Sequence, residues 1–287
     1  MGDYTVFHNM PWSGMYAIYF FTIGISAALF FFSTKSWFPT GQALIPIRTP
    51  AAYVSFALLV ISGLLLIGDL SQPMRFLNIM NPAYLNLTSP LAWGGLNLIS
   101  FGVVSVLYVK ALKGNDGKNA KLFGVIGSLL ALGLPVYTGF DLTVHQNRPI
   151  WNTPLMPVLF VALSLVSGAA VASLLADGKE VALTRLRSHM LWAGGAVGVM
   201  LIALLGTTAY GGSTSELTFM FMTSGSLGVI FVGLGILLGT AAPIAVLLTP
   251  FGRQHTGIVA AGGLLLVGGM ALRYSILIGG QIVQTYF

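Results

Sequence analysis

Eight stretches of about twenty nearly uncharged residues run along this sequence, and they constrain its fold more than any other feature. A bilayer's hydrocarbon core is about 30 Å thick. About 20 residues of helix cross it with every backbone polar group satisfied inside the segment. The stretches occupy approximately residues 14–34, 50–68, 90–112, 122–140, 154–176, 190–210, 219–248 and 256–283. Charged side chains make up 7% of the 287 residues, against about 25% in an ordinary soluble domain. The pattern predicts an all-α integral membrane protein, a single transmembrane domain over 1–287 with eight transmembrane helices. The seventh stretch is long enough to tilt or bend, and Pro243 supplies a kink point.

The basic residues orient the bundle. Ten of the 13 Lys and Arg fall in the loops after spans one, three, five and seven: Lys35, Arg48, Lys110, Lys113, Lys118, Lys121, Lys179, Arg185, Arg187 and Arg253. The opposite loops hold Arg75 and Arg148, and Arg273 lies within span eight. Basic loops stay in the cytoplasm, so both termini are expected on the outer, periplasmic side of a bacterial cytoplasmic membrane. The formal charge of +6 is thereby accounted for without nucleic acid. The opening MGDYTVFHNMPWSG lacks a basic segment ahead of an apolar one, and no signal peptide is expected.

Against this oily background, GLPVYTGFDLTVHQNRPIWN (133–152) gathers reactive side chains at the outer end of span four. Tyr137 fits an interfacial aromatic belt, and its phenol equally suits a quinone carbonyl. Asp69, followed by Arg75, reads either as a helix end with a loop ion pair or as part of a structured lid. Arg273 stands about 25 Å from the inner end of its span. It is expected to face inward toward an acid, and Asp69 and Asp141 are the acids at a comparable level.

Other chemistries find no support. The protein has no Cys, which removes disulfides and thiolate-held clusters or zinc from it. Of the histidines, His8 and His145 lie outside and His189 and His255 at inner span ends, so no facing pair exists for a haem. No metal cluster and no nucleophile–base arrangement is apparent. GLGILLG and GGLLLVGG sit in apolar 20-mers and read as helix-packing surfaces.

The stretches LLLIGDLSQPMRFLNIMNP, SPLAWGG, YTGFDL, RPIWNTPLMPVLFVALSLVSGAA and LRYSILIGGQ, with the eight-span layout, resemble the NrfD/PsrC-type membrane subunits of respiratory oxidoreductases. The resemblance implies two four-helix bundles, 1–140 and 154–287. It also implies a haem-free anchor that handles menaquinone or ubiquinone and carries no iron–sulfur cluster of its own. Its partners would be a four-cluster-type iron–sulfur subunit and a catalytic molybdopterin or multihaem cytochrome subunit on the outer face. The implied quinone pocket lies in the first bundle at Tyr137, with His8 and Asn9, and with Trp12, Tyr16 and Asn97 as further lining. His8 or an acid, Asp69 or Asp141, is the candidate proton acceptor, and Arg75, His145, Arg148 and Trp151 are the candidate docking residues. A secondary transporter or channel and a purely structural anchor are the rival classes.

The orientation is directly testable, because a protein without Cys gives a clean background for single-cysteine labelling. Asn152→Cys should react with a membrane-impermeant maleimide in intact cells whose outer membrane is permeabilised. Asn115→Cys should react only after the inner membrane is opened, and the reverse pattern overturns the orientation.

Overall fold

The computed structural model describes residues 12–70, 72–81, 83 and 88–283. Its elements are α1 (Gly14–Lys35), α2 (Arg48–Asp69), α3 (Pro90–Lys113), α4 (Gly117–Thr143), α5 (Leu155–Leu175), α6 (Glu180–Ala209), a short α7 (Ser213–Thr223), α8 (Gly225–Leu248) and α9 (His255–Ile282). Short 3-10 segments cover Pro39–Ile47, Pro73–Met80 and Phe251–Arg253. Among the described residues there is no strand, and eight helices are long and apolar enough to cross a membrane.

Helix ends follow local chemistry. Ser13 is extended and its Oγ accepts from the Met15 amide at 3.1 Å, which starts α1. Pro90 occupies the first turn of α3, where its missing N–H is no loss. Asp116 caps α4 by accepting from the Asn119 amide at 3.1 Å. The same backbone bond, with one from the Asn119 side chain, holds its exposed carboxyl below the usual carboxylate range.

α1 and α5 form the centre. α1 packs against α2, α4, α5 and α9, while α5 packs against α1, α4, α6 and α9. Both helices are apolar all round, as buried membrane helices are, and small residues set how closely they approach. A Cβ at Gly168 of α5 would run into Ala28 of α1. α8 and α9 meet backbone to backbone at Gly239 and Gly268. On the periphery Leu129, Trp192, Val199, Ile202 and Leu237 are exposed, an apolar surface that hydrocarbon would cover.

Two boundaries differ from expectation. α6 starts at Glu180, about ten residues before its apolar run. Hydropathy registers only the oily part of a helix, and this polar first section adds Arg185 and His189 to it. The seventh stretch is not one continuous helix. Ser224 is extended and Gly225 is left-handed (φ +60°), so α7 stops at Thr223 and α8 begins anew. The Thr223 and Ser224 hydroxyls donate back to the Phe219 and Met220 carbonyls, closing the last turn of α7. The distortion expected at Pro243 lies ahead of it: Val229–Ala241 is π-helical, and Thr240 Oγ1 donates to the Gly235 carbonyl at 2.9 Å.

Candidate functional site

Two helices bring four polar side chains together at the end of the bundle remote from the Lys- and Arg-rich loops. Tyr16 and Tyr19 lie in the first turns of α1. Tyr137 and Asp141 lie one turn apart near the end of α4, on one face. Tyr16 Oη donates to Asp141 Oδ2 at 2.7 Å. Asp141 is 6% exposed, Tyr137 7%, Tyr16 4% and Tyr19 1%, so the cluster is withdrawn from solvent.

The α4 turn that carries these groups is held from both sides. The Tyr137 ring packs against Gly94 of α3, where any Cβ would occupy the ring's place. On the other side Gly139 presses against the Pro157 backbone of α5. A residue larger than Gly at either position would move the phenol or the carboxylate.

The hydroxyls of Tyr19 and Tyr137 are buried without a hydrogen-bond partner. An unsatisfied buried hydroxyl costs about 1–3 kcal/mol, and Phe would avoid that cost at either position. Both phenols also lie within the electrostatic reach of Asp141. Chemically, the arrangement offers the Tyr19 O–H, a Tyr137 O–H close to the Tyr16 hydroxyl, and a carboxylate already braced by Tyr16. It can hydrogen-bond a ligand's carbonyl oxygens and hold or release a proton.

Aromatic rings close this end of the bundle. Trp12 stacks on Tyr16 with centroids 5.0 Å apart, and meets His145 at 5.2 Å and Trp151 at 5.3 Å. The segment carrying these groups is fastened to the end of α9. Trp151 Nε1 donates to the Ile276 carbonyl at 2.7 Å, and Arg148 Nη1 donates to the carbonyls of Gln281 (2.7 Å) and Gly280 (3.3 Å). Helix C-termini leave carbonyls unpaired, and Arg148 caps these with positive charge where the macrodipole is negative. Gln281 returns a bond to the Trp12 carbonyl at 3.1 Å. Burial, and then the Arg148 charge, push the His145 imidazole below its ordinary value.

Of the residues expected to form a site, Tyr137, Trp12, Asp141 and His145 are thus brought together. Asn97 lies deeper; its Nδ2 donates to the Leu130 carbonyl at 3.0 Å and packs on Gly133, bracing α3 against α4. Asp69 accepts from Ser13 Oγ at 2.5 Å and ties α2 to the start of α1. Arg75 lies on the Pro73–Met80 segment. His8 and Asn9 fall outside the described residues. Tyr19 was not among the expected residues, although its i, i+3 spacing from Tyr16 puts both phenols on one helix face.

Three expectations change. Arg148 and Trp151, expected at a docking surface, are turned inward at 2% and 0% exposure, because their donors serve the carbonyls of α9. Arg273, expected to pair with an acid, has no carboxylate within 4.0 Å among the described residues. It is fully buried at mid-helix. Nη1 donates to the Gly269 carbonyl at 3.0 Å and Nη2 to Ser164 Oγ at 3.2 Å, between the rings of Phe21 and Phe160. Asp141 and Asp69 stand at helix ends, engaged by Tyr16 and Ser13.

The family model described as "Polysulphide reductase, NrfD" matches residues 4–284. The protein belongs to the NrfD family. It is 28% identical to the C chain of polysulfide reductase from Wolinella succinogenes, over 98% of its own length and 97% of that relative. It is 26% identical to protein NrfD of Escherichia coli, over 96% of each of the two. The C subunit of tetrathionate reductase from Salmonella typhimurium is 27% identical over 67% of the present sequence and 56% of its own length. This NrfD-family protein spans the membrane several times.

The His145 environment predicts how stability depends on pH. A base with a lowered folded pKa binds its proton more readily in the unfolded state, so stability falls as pH drops through the unfolded value of about 6.5. His145→Phe, which keeps a ring in the cluster, should flatten the decline of Tm between about pH 6.5 and 5. An unchanged acid slope contradicts the assignment.

Proposed function

We propose that this protein is the membrane subunit of a respiratory reductase of the cytoplasmic membrane, exchanging electrons between menaquinone or ubiquinone and an iron–sulfur partner subunit. The observation that carries this reading is the pair of buried, unpartnered phenols, Tyr19 and Tyr137, beside the Tyr16–Asp141 hydrogen bond. Phe at either position would serve a purely structural anchor better. An ion-coupled transporter would carry its charged groups at a break in helices near mid-membrane. Here the carboxylate and the phenols gather at one end, and the charged Arg273 at mid-depth is held by Gly269 and Ser164 of two unbroken helices.

The residues fit a quinone head group. Tyr137 Oη and Tyr19 Oη would donate to its oxygens, and the rings of Trp12 and Tyr16 would bound the pocket toward the outer surface. A quinone supplies two-electron chemistry linked to two protons. Asp141 would take or return a proton, its charged form steadied by the Tyr16 hydroxyl. His145, kept neutral near pH 7 by burial and by Arg148, would pass protons between that level and the surface. Trp151 and Arg148 would fix the loop that holds His145.

Two of the relatives are named as single components of larger reductases, which points to a multi-subunit assembly. The electron-accepting partner would sit over the 68–95 and 140–153 segments, on the outer side by the orientation argued from Lys and Arg. With Arg148 capping α9, Arg75 remains the candidate docking cation on that face. The component that meets the terminal substrate would be a separate polypeptide, of molybdopterin or multihaem cytochrome type.

The test is turnover of a quinol analogue by the assembled complex. Tyr137→Phe removes one donor while keeping the ring on Gly94, and should lower kcat/KM about tenfold or more, as loss of a hydrogen bond of about 1.5 kcal/mol does. Asp141→Asn should depress kcat further and change its pH profile. Wild-type kinetics in both variants would remove this cluster from the reaction.

A further inference from the structure

The end of the bundle rich in Lys and Arg carries a cavity that the quinone reading does not use. It is a cleft of about 780 Å³ between α1, α4, α5 and α6. Its mouth is polar: Lys35, Arg185, Ser188 and His189. Its walls are apolar, formed by residues such as Ala28, Leu132, Val161 and Ala193. It opens sideways past Leu129, 70% exposed, and Trp192, 81% exposed, onto the surface that faces lipid. From Lys35 to Ala27 the lining of α1 descends eight residues, about 12 Å along the helix.

The basic groups at the mouth are held close together. Lys35 Nζ donates to His189 Nε2 at 2.8 Å, and His189 Nδ1 donates to the Arg185 carbonyl at 2.7 Å. That pair of bonds requires a neutral imidazole with its proton on Nδ1, and it directs Lys35 toward Arg185. Arg185 Nη2 donates to the Thr40 carbonyl at 3.0 Å. Further donors remain on both cations. Among the described residues no carboxylate lies within 4.0 Å of Lys35 or Arg185. Two cations held together at a membrane boundary without an acid repel one another, and an anion between them relieves that repulsion.

We infer that this cleft binds an anionic glycerophospholipid, its phosphate at Lys35, Arg185 and Ser188 and one acyl tail lying along α4 and α6. Charge selects the head group, and the lateral opening admits the tail directly from the bilayer. Basic pockets between transmembrane helices recognise anionic lipids in this way. The bound lipid would neutralise the Lys35–Arg185 pair and fill the space between α4 and α6, which otherwise lack a direct seam there. Assignment to the cytoplasmic leaflet rests on the orientation proposed above; the binding itself does not.

Native mass spectrometry of the full-length protein tests the inference, with dioleoyl phosphatidylglycerol as probe and dioleoyl phosphatidylcholine as the zwitterionic comparison. The wild type should prefer phosphatidylglycerol. Lys35→Gln combined with Arg185→Gln should weaken that binding roughly thirtyfold, the effect of two basic groups near an anionic head. Lys113→Gln with Lys118→Gln, on the same end but away from the cleft, should leave it unchanged. Ala193→Trp, which fills the apolar wall, should also weaken phosphatidylglycerol binding. Equal retention of the two lipids, or a double variant at Lys35 and Arg185 that keeps the preference, overturns the inference. So does displacement of the lipid by inorganic phosphate together with indifference to Ala193→Trp, which would mark a simple anion site. Displacement by an isoprenoid quinone would overturn it as well.

Discussion

The hydrogen bond from Tyr16 to Asp141 is the contact on which the proposed chemistry depends. A carboxylate nearly closed off from water needs donors directed at it, and α1 supplies one from its first turn. The bond spans 125 residues of sequence and fixes the height at which α1 stands against α4. With that height set, Tyr19 falls beside Tyr137, and Trp12 reaches the His145–Trp151 pair. Gly94 and Gly139 allow the neighbouring helices to close on α4 without displacing it. The C-terminal end of α9 is then fastened to the same cluster through Arg148, Trp151 and Gln281.

The bundle is consequently asymmetric from end to end. One end holds phenols, a carboxylate and indoles, nearly all buried. The other holds the positive charge, with Lys35, His189 and Arg185 around a cleft open to lipid. Between them Arg273 is buried without a carboxylate, its charge offset by a carbonyl, a serine hydroxyl and two aromatic rings. Exclusion of water by α1, α5 and α9 makes that charge costly, and the partners these helices supply offset the cost. It braces the three central helices at mid-depth.

Much of this was legible in the sequence. The eight spans follow from apolar runs, and the clustering of chemistry at 133–152 follows from the rarity of polar residues elsewhere. What hydropathy does not register is a polar helix end, so α6 extends ten residues beyond its oily section. It also misses backbone breaks within an apolar run, so the turn at Gly225 and the π-helical stretch before Pro243 were hidden. Tyr137 stood out by its neighbours Pro135 and Gly139, while Tyr19 was masked among the aromatic residues of α1. The inward turn of Arg148 and Trp151 was unreadable for a different reason. Their partners are the backbone carbonyls of Ile276, Gly280 and Gln281, more than a hundred residues away, and carbonyls carry no residue-type signal.

The central claim is that a quinone head group sits among Tyr16, Tyr19, Tyr137 and Asp141. Photolabelling of the purified protein with an azido-substituted quinone, followed by peptide mapping, tests it most directly. The predicted result is label confined to peptides covering 12–20 and 133–145, competed away by excess unmodified quinone. Label concentrated instead at the Lys35–Arg185 cleft, or spread evenly over lipid-facing leucines and insensitive to competition, would contradict the account.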